Sequence, residues 1–179
     1  MKICGSRREP LSAGAEGFTH AYFDKAYMGC YCARNPRRKM IYYLSRIRRV
    51  CPEGNLLDIG CAYGVFLSYA NAYYKCTGCD VDSDVVAVAR RRVQKARFFE
   101  AALPAIPGSL EYDVVTCFDV LEHVESIHDA LNNIRRILRD GGVLCVVVPV
   151  YDGPLGWIVR GLDRDPTHVH RTGREWWRC

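Results

Sequence analysis

From residue 35 onward, the apolar positions of the chain switch repeatedly between helical spacing and short continuous runs. Apolar residues at every third or fourth position are typical of helices, and bounded runs of about four to eight are typical of buried strands. The pattern predicts strands at residues 55–60, 75–80, 97–101, 112–118 and 143–150, and helices at 36–50, 65–72, 83–96 and 127–140.

Residues that favour helix ends mark several of these boundaries. Asn35 before Pro36 is typical of an N-cap followed by the first helical position. Asp82 or Ser83 is predicted to cap the third helix and Ser126 the fourth, because their side-chain oxygens can accept from free first-turn amides. The Gly141-Gly142 pair is predicted to end the fourth helix, ahead of a fully buried fifth strand.

Strands that alternate with helices favour a mostly parallel sheet covered on both faces, a Rossmann-like three-layer α/β sandwich. Ligands of such sheets bind outside the carboxyl ends of the strands. The small and polar residues that interrupt the apolar runs fall at this edge, namely at Asp58–Gly64, Asp80, Ala101 and Phe118–His123.

Length and composition fit one domain with a real core, since the chain has 179 residues and is 49% hydrophobic and 25% charged. We assign this domain to residues 35–179 and treat 1–34 as a lead-in with little periodicity. No apolar run approaches the roughly 18–20 residues of a membrane span. The N-terminus lacks the apolar core of a signal peptide, so a cytoplasmic location is expected.

The net charge of +5, from 25 Lys and Arg against 20 Asp and Glu, leaves an anionic partner such as RNA as an alternative. Runs of arginine are more often the solvated faces of helices, and most of these runs fall on predicted helices. They are Arg7-Arg8, Arg37-Arg38-Lys39, Arg48-Arg49, Arg90-Arg91-Arg92 and Arg135-Arg136.

Ten cysteines raise the question of zinc, and the spacings Cys30-x-Cys32 and Cys76-x2-Cys79 are the relevant pairs. A structural zinc site needs two such pairs placed together. Cys79 instead ends a predicted strand, so buried free thiols in a reducing compartment are expected. A disulfide-rich intracellular protein of a hyperthermophile remains the alternative.

The stretch LLDIGCAYGVFL, residues 56–67, places a small-residue turn between two apolar runs. Gly60 and Gly64 can adopt positive φ and let the backbone approach a ligand. A dinucleotide site requires G-x-G-x-x-G, which this spacing misses. The turn therefore disfavours a nicotinamide-dependent oxidoreductase.

The pattern D-x-G-x-[GA]-x-G at Asp58–Gly64 resembles motif I of the class I S-adenosylmethionine-dependent methyltransferases. GCDVDSD, YDVVTCFDVLEHV and LRDGGVLCVVVP resemble, in order and spacing, the ends of the second and fourth strands and the entry to the fifth. The likeness covers roughly residues 20–170. It implies S-adenosylmethionine as cofactor, with Asp80 taking the ribose hydroxyls. The implied cofactor-binding residues are Asp58, Gly60, Cys61, Ala62, Gly64, Asp80, Val81, Ala101, Phe118 and Asp119.

Two positions depart from the family pattern. Ala62 replaces the usual middle glycine, so it needs a backbone conformation that an L-residue tolerates. The acid often found beside the adenine amino group is absent near Ala101, where backbone groups of Ala101 and Ala102 are expected to serve instead.

A sulfonium methyl is already activated, so the protein has to orient the acceptor and, for an oxygen or nitrogen acceptor, remove its proton. Asp119, Glu122 and His123 are the catalytic candidates. The string is similar to the acid-x-x-Glu-His of the ubiquinone-biosynthesis O-methyltransferases, where it is associated with a metal. A divalent cation there is one alternative, and capping of the next helix is another.

Two further segments are expected to border the acceptor. The loop Asp165–His170 resembles the segment after strand five in small-molecule members, with His168 as its best candidate. Tyr22, Tyr27 and Tyr31 could form a lid, with Arg34 or Arg38 reaching the cofactor carboxylate, or could pack in the core.

The antiparallel strand pair that follows strand five in the family is missing from the sequence pattern. The edge strand is therefore expected to be poorly covered, which predicts marginal stability or a homo-oligomer. We expect a methyltransferase that acts at oxygen, nitrogen or carbon of a small molecule. An RNA-modifying methyltransferase, or a truncated cofactor-binding domain without turnover, is the alternative.

Overall fold

A computed structural model of the chain describes residues 35–103, 105–108, 111–163, 165 and 167–178. Within them the strands form one sheet in the order β3-β2-β1-β4-β5, and every paired neighbour is parallel. The predicted parallel α/β fold is therefore confirmed. The strands are β1 (Gly54–Ile59), β2 (Tyr74–Asp80), β3 (Arg97–Glu100), β4 (Tyr112–Phe118) and β5 (Leu138–Val147).

Helices cover both faces of the sheet and connect its consecutive strands, except that the described residues between β3 and β4 contain no helix. Single 3₁₀ turns lie at Leu121–His123 and Trp176–Arg178. Of the helices in the described ranges, none is long and apolar enough to cross a membrane. The α-helices are α1 (Arg37–Arg48), α2 (Val65–Ala70), α3 (Ser83–Arg92), α4 (Ile127–Ile137) and α5 (Gly156–Leu162).

The two faces of the sheet carry separate apolar cores, which gives the three layers. Leu56 and Val114 contribute to a core that α1, α2 and α3 cover. Leu57 and Val115, one position along each strand, contribute to the opposite core, which α4 covers. Because successive side chains of a strand point to opposite faces, the continuous apolar runs of β1 and β4 serve both cores.

The strand order reverses between β1 and β4. From β1 the chain moves outward through β2 to β3, and then returns to the other side of β1 as β4. The loops that leave β1 and β4 diverge at their carboxyl ends, which is where open α/β sheets bind ligands. This reversal places the Gly60 turn beside the segment that begins at Asp119.

Two of the three predicted helix caps are confirmed. Asp82 Oδ1 accepts from the amides of Asp84 at 2.8 Å and Val85 at 3.2 Å, and Ser126 Oγ accepts from the amide of Asp129 at 3.3 Å.

The third cap prediction is wrong, because Pro36, in an extended conformation, is the N-cap of α1. The side chain of Asn35 instead accepts from Lys39 Nζ at 3.3 Å.

The boundary between α4 and β5 differs from the prediction. The helix ends at Ile137, and β5 begins at Leu138, five residues before the predicted strand start at 143. Leu138 pairs with Tyr112, and Arg139 forms an ion pair with Asp113 at 2.8 Å. These contacts with β4 draw the segment into the sheet before the Gly141-Gly142 pair is reached.

The fifth strand is not fully buried as predicted, since every residue of β5 is at least partly exposed. This agrees with the expectation of a poorly covered edge. In the described part of the chain, no antiparallel strand joins the sheet.

Of the six described cysteines, four are buried as predicted and two, Cys51 and Cys145, are half-buried. Cys76 and Cys79 lie on opposite faces of β2, in different apolar cores, and therefore do not form a zinc pair. Cys30 and Cys32 lie outside the described residues, as do Tyr22, Tyr27 and Tyr31 of the predicted lid and Arg34. All described cysteines are free thiols, namely Cys51, Cys61, Cys76, Cys79, Cys117 and Cys145.

Candidate functional site

The turn after β1 has an unusual backbone. Gly60, Ala62 and Gly64 all have positive φ, at 69°, 45° and 69°. A Cβ at Gly60 would lie 2.3 Å from Val120 Cγ2, so only glycine allows the turn to pack against the segment after β4. Ala62 stands where the family usually has glycine, and it adopts the left-handed backbone conformation that this position requires. Its side chain is buried.

Asp80, at the end of β2, holds this turn in place. Its Oδ2 accepts from the Ala62 amide at 2.9 Å, and its Oδ1 accepts from the Asp82 amide at 3.3 Å. Burial raises the pKa of Asp80, while these two hydrogen bonds work to lower it. Each carboxylate oxygen can accept more than one hydrogen bond, so Asp80 retains capacity for a ligand hydroxyl.

Asp58 is buried between neighbouring strands. Thr116 Oγ1 donates to Asp58 Oδ1 at 2.7 Å, across the register in which the two residues face each other. Burial raises the pKa of the Asp58 carboxyl to about 7; the Thr116 bond opposes this shift, and the charge of Asp80 adds to it. Asp58 thus links β1 to β4 beneath the turn, and its carboxyl becomes protonated as the pH falls below about 7.

Residues at the end of β4 meet α1. Asp119 has a φ of 55°, and its Oδ2 lies 3.5 Å from Lys39 Nζ. The ring of Phe118 packs between those of Tyr43 and Phe66, with centroids 4.8 Å and 5.0 Å away. Helix α1 is thereby fixed against the carboxyl edge of the sheet.

Glu122 is 1% exposed, and its Oε2 has no hydrogen-bond partner among the described residues. Burial, together with the charges of Asp119, Asp165 and Asp163, raises the pKa of its carboxyl to about 8. Glu122 is therefore largely protonated at pH 7.

The backbone of Glu122 holds the loop that follows β5. Its carbonyl oxygen accepts from the amides of Val169 at 2.8 Å and His170 at 3.1 Å. This brings the 163–170 segment against the end of β4.

Two histidines face each other at this junction. The rings of His123 and His168 lie 4.7 Å apart between centroids. Nδ1 of His123 lies 3.1 Å from the carbonyl oxygen and 2.9 Å from Oγ1 of Thr167. Burial lowers the pKa of His123, so the neutral imidazole is favoured at pH 7.

His168 belongs to a polar network with Asp163 and Tyr151. Its Nδ1 lies 2.7 Å from Asp163 Oδ2, which also accepts from the Tyr151 hydroxyl at 2.6 Å. Burial works to raise the pKa of Asp163, but the hydrogen bonds from Tyr151 and His168 outweigh it and lower the pKa to about 2. An ionised Asp163 requires that Nδ1 of His168 carries a proton, and Nε2 of His168 lies 3.9 Å from Asp165 Oδ2.

The structure groups the predicted catalytic residues differently from the sequence expectation. One ligand atom each from Glu122, His123 and His168 lie within 4.8 Å of one another, a spacing that a divalent cation could bridge. Asp119 is not part of this cluster and is paired with Lys39 instead.

The remaining cofactor-binding candidates lie along the same edge of the sheet. The amide of Cys61 donates to the carbonyl of Cys79, and the amide of Ala101 donates to the carbonyl of Asp80, both at 3.0 Å. The Ala101 amide is therefore already engaged. Val81 is half-buried beside Asp80.

Several site residues were not found from the sequence. Lys39 lies in a basic run that resembles a solvated helix face, and Thr116 in a strand where threonine is ordinary. Tyr151 and Asp163 reach the site through a loop whose path the sequence does not predict. Thr167 lies within the DPTHVH string, which did point to the segment.

Comparison with known proteins agrees with this geometry. The profile of a methyltransferase domain family matches residues 33–179. The ubiquinone biosynthesis O-methyltransferase of Sodalis glossinidius is 34% identical over 97 residues, 49% of this chain and 38% of that protein. The malonyl-[acyl-carrier protein] O-methyltransferase of Enterobacter lignolyticus is 30% identical over 124 residues, 65% of this chain and 47% of that protein. The chain spans about half or less of the length of these relatives.

Solved structures share the fold. YcgJ of Bacillus subtilis is 25% identical with a TM-score of 0.63, over 77% of this chain and 65% of that chain. CalS10 of Micromonospora echinaspora, an amino pentose methyltransferase solved with S-adenosylmethionine, is 22% identical with a TM-score of 0.62, over 82% of this chain and 61% of that chain. With its matched profile, its motifs and its sheet order, the chain belongs to the class I S-adenosylmethionine-dependent methyltransferase family.

Proposed function

We propose that the chain transfers a methyl group from S-adenosylmethionine to a small-molecule acceptor. The observation that carries the proposal is the turn at Gly60–Gly64, tied by Asp80 at the strand-order reversal. Relatives named as O-methyltransferases support the reaction class.

The residues present fit the cofactor. A ribose offers two adjacent hydroxyl donors, and Asp80 is a buried carboxylate with acceptor capacity left after its two amide contacts. The glycine turn keeps side chains away from the space above β1. Asp58, Gly60, Cys61, Ala62 and Gly64 would shape the methionine side of the site, with Phe118 and Asp119 at its β4 wall. Val81 and Ala101 would border the adenosine side.

When bound, the cofactor supplies an electrophilic methyl group that needs no protein nucleophile. The contribution of the chain is to orient the acceptor in line with that methyl and to exclude water, which raises the effective concentration of the reacting atoms. An acceptor hydroxyl or ammonium must also lose its proton to become nucleophilic.

His168 is the general base in this proposal. Asp163 holds Nδ1 protonated at 2.7 Å, so Nε2 can take the acceptor proton, and the ionised Asp163 stabilises the resulting imidazolium. His123 and Glu122 lie beside His168, whereas Asp119 is paired with Lys39 at the end of β4.

The test follows release of S-adenosylhomocysteine with catechols, amines and carboxylic acids as acceptors. His168→Gln and Asp163→Asn are expected to lower kcat by about a hundredfold, the range of general-base catalysis, while the S-adenosylmethionine Kd stays unchanged. Arg160→Gln, on an exposed position of α5, is the control. Binding of the cofactor without product release from any acceptor would favour the cofactor-binding domain without turnover.

We further propose that the protein works in the cytoplasm, which the free thiols of the described residues support.

We also propose that the chain self-associates, which the half-exposed β5 edge supports. Light scattering after size exclusion tests it, and a monomer across the concentration range would contradict it.

A further inference from the structure

The exposed side of α1 is the most strongly charged surface of one sign in the described helices. Met40, Leu44 and Ile47 are buried against the core. On the opposite side, residues spaced by three, four or seven positions form one outward stripe along the helix. The exposed basic residues on this stripe are Arg38, Arg46 and Arg49, whereas Arg37 and Arg48 are exposed on a flank of the helix nearer the core.

No carboxylate neutralises these arginines within the described ranges. The salt bridges there involve Lys39 of this helix, His168 and arginines elsewhere, and not the three arginines of the stripe. The helix from Arg37 to Arg48 contains no acidic residue. An unpaired basic stripe of this kind favours a polyanionic partner, because each phosphate contact releases a condensed counterion.

An aromatic ring lies among these arginines, since Tyr42 is 60% exposed at the centre of the stripe. The Arg48 guanidinium, on the flank of the helix, instead lies 3.6 Å from the centroid of the Tyr73 ring and is not part of the stripe. An exposed aromatic ring among cations can stack on an unpaired nucleic-acid base. A lipid surface offers no such base, so the ring favours single-stranded nucleic acid over a membrane.

The stripe also adjoins the candidate site. Arg38 and Lys39 are consecutive on α1, and Lys39 lies 3.5 Å from Asp119 at the carboxyl edge of β4. From Arg38 to Arg49 the stripe extends about 17 Å along the helix axis, at about 1.5 Å a residue. A strand that follows α1 would therefore end at the edge of the sheet.

We propose that α1 is a docking surface for single-stranded nucleic acid, with Arg38, Arg46 and Arg49 on phosphates and Tyr42 beneath a base. The surface is separate from the small-molecule acceptor site, and the inference does not depend on the proposed methyl transfer.

Fluorescence anisotropy with a labelled oligouridylate of roughly 20 nucleotides tests it, because a single-strand site covers about 4–16 nucleotides. Three phosphate contacts predict a slope of log K against log salt of about −2, or roughly twentyfold weaker binding between about 50 and 200 mM salt. The triple variant Arg38→Gln, Arg46→Gln, Arg49→Gln is expected to reduce that slope by about 2. Tyr42→Ala is expected to weaken binding at least about fivefold.

The matched control is the triple variant Arg91→Gln, Arg135→Gln, Arg160→Gln. It removes the same charge from exposed positions on α3, α4 and α5 and is expected to leave the slope unchanged. Equal weakening by both triple variants would mean a non-specific effect of net charge, and it would overturn the proposal. So would absence of binding by the folded chain, or Tyr42-independent binding to phosphatidylserine vesicles in preference to the oligonucleotide.

Discussion

Ala62 shows how one residue of the turn can carry strain. Its φ of 45° belongs to a region that costs an L-residue about 1–2 kcal/mol. The hydrogen bond from its amide to Asp80 and the burial of its methyl group hold it there. The backbone strain thus lies at the residue whose amide donates to Asp80 at the end of β2.

Replacing Ala62 by glycine is expected to stabilise the fold by about 0.5–1 kcal/mol, since relief of the left-handed strain exceeds the added entropy of the unfolded chain. Ala62→Val is expected to destabilise it, because a β-branched residue tolerates positive φ poorly. Urea unfolding measures both. A glycine variant less stable than the wild type would contradict the assigned strain.

Asp58 predicts a particular pH dependence of stability. Its pKa is raised to about 7 in the folded state, above the ordinary aspartate value near 4 in the unfolded chain. Between those values the folded state binds more protons, so the free energy of unfolding from this residue falls as pH rises from about 4 to about 7.

In Asp58→Asn the amide oxygen still accepts from Thr116, and this pH dependence is expected to flatten. Midpoints of thermal unfolding across that pH range measure the difference between variant and wild type. An unchanged profile would place the proton elsewhere, and Glu122, raised to about 8, is the next group to test.

At the level of the elements, the helix starts are fixed by local capping. Asp82 accepts from two first-turn amides of α3, whereas Ser126 accepts from one amide of α4 at 3.3 Å. Caps of this kind stabilise a protein by about 0.5–2 kcal/mol.

Asp82→Ala is accordingly expected to cost about 1 kcal/mol, and Ser126→Ala about half of that. Chemical unfolding of the two variants gives the comparison. A larger loss for Ser126→Ala would mean that the number and length of these hydrogen bonds do not rank the two caps.

Elements whose ends are decided locally were predictable from the sequence. Strands β1, β2 and β4 have continuous apolar runs because their side chains contribute to both cores. Asp82 and Ser126 mark the starts of α3 and α4, because their side chains cap those helices. The start of β5 was not predictable, because Ile134, Ile137 and Leu138 continue the helical period while pairing of Leu138 with Tyr112 overrides it. Contact between distant segments decided this boundary.

The residues of the candidate site likewise fall into two groups, those that the sequence predicts and those that depend on contacts between distant segments. The glycine turn and Asp80 follow from spacing along the chain. The His168–Asp163–Tyr151 network depends on the path of the loop after β5, which two hydrogen bonds to the Glu122 carbonyl define. No local pattern encodes that path.

At the level of the whole molecule, the parallel sheet brings the ends of β1, β2 and β4 to one edge. The turn, the buried Asp80 and the two histidines then lie along that edge, with α1 packed against it through Tyr43 and Lys39. The central claim is that this edge binds S-adenosylmethionine.

Calorimetric titration of the chain with S-adenosylmethionine tests that claim most directly. The wild type is expected to bind one equivalent and to give no saturable heat with NADH. Asp80→Asn is expected to bind at least about tenfold more weakly, since it replaces an acceptor by a donor, and about 1.4 kcal/mol corresponds to that factor. The control Asp84→Asn, exposed in the first turn of α3, is expected to match the wild type. A folded wild type that gives no binding heat, or an Asp80→Asn variant that binds as tightly as the wild type, would contradict the account.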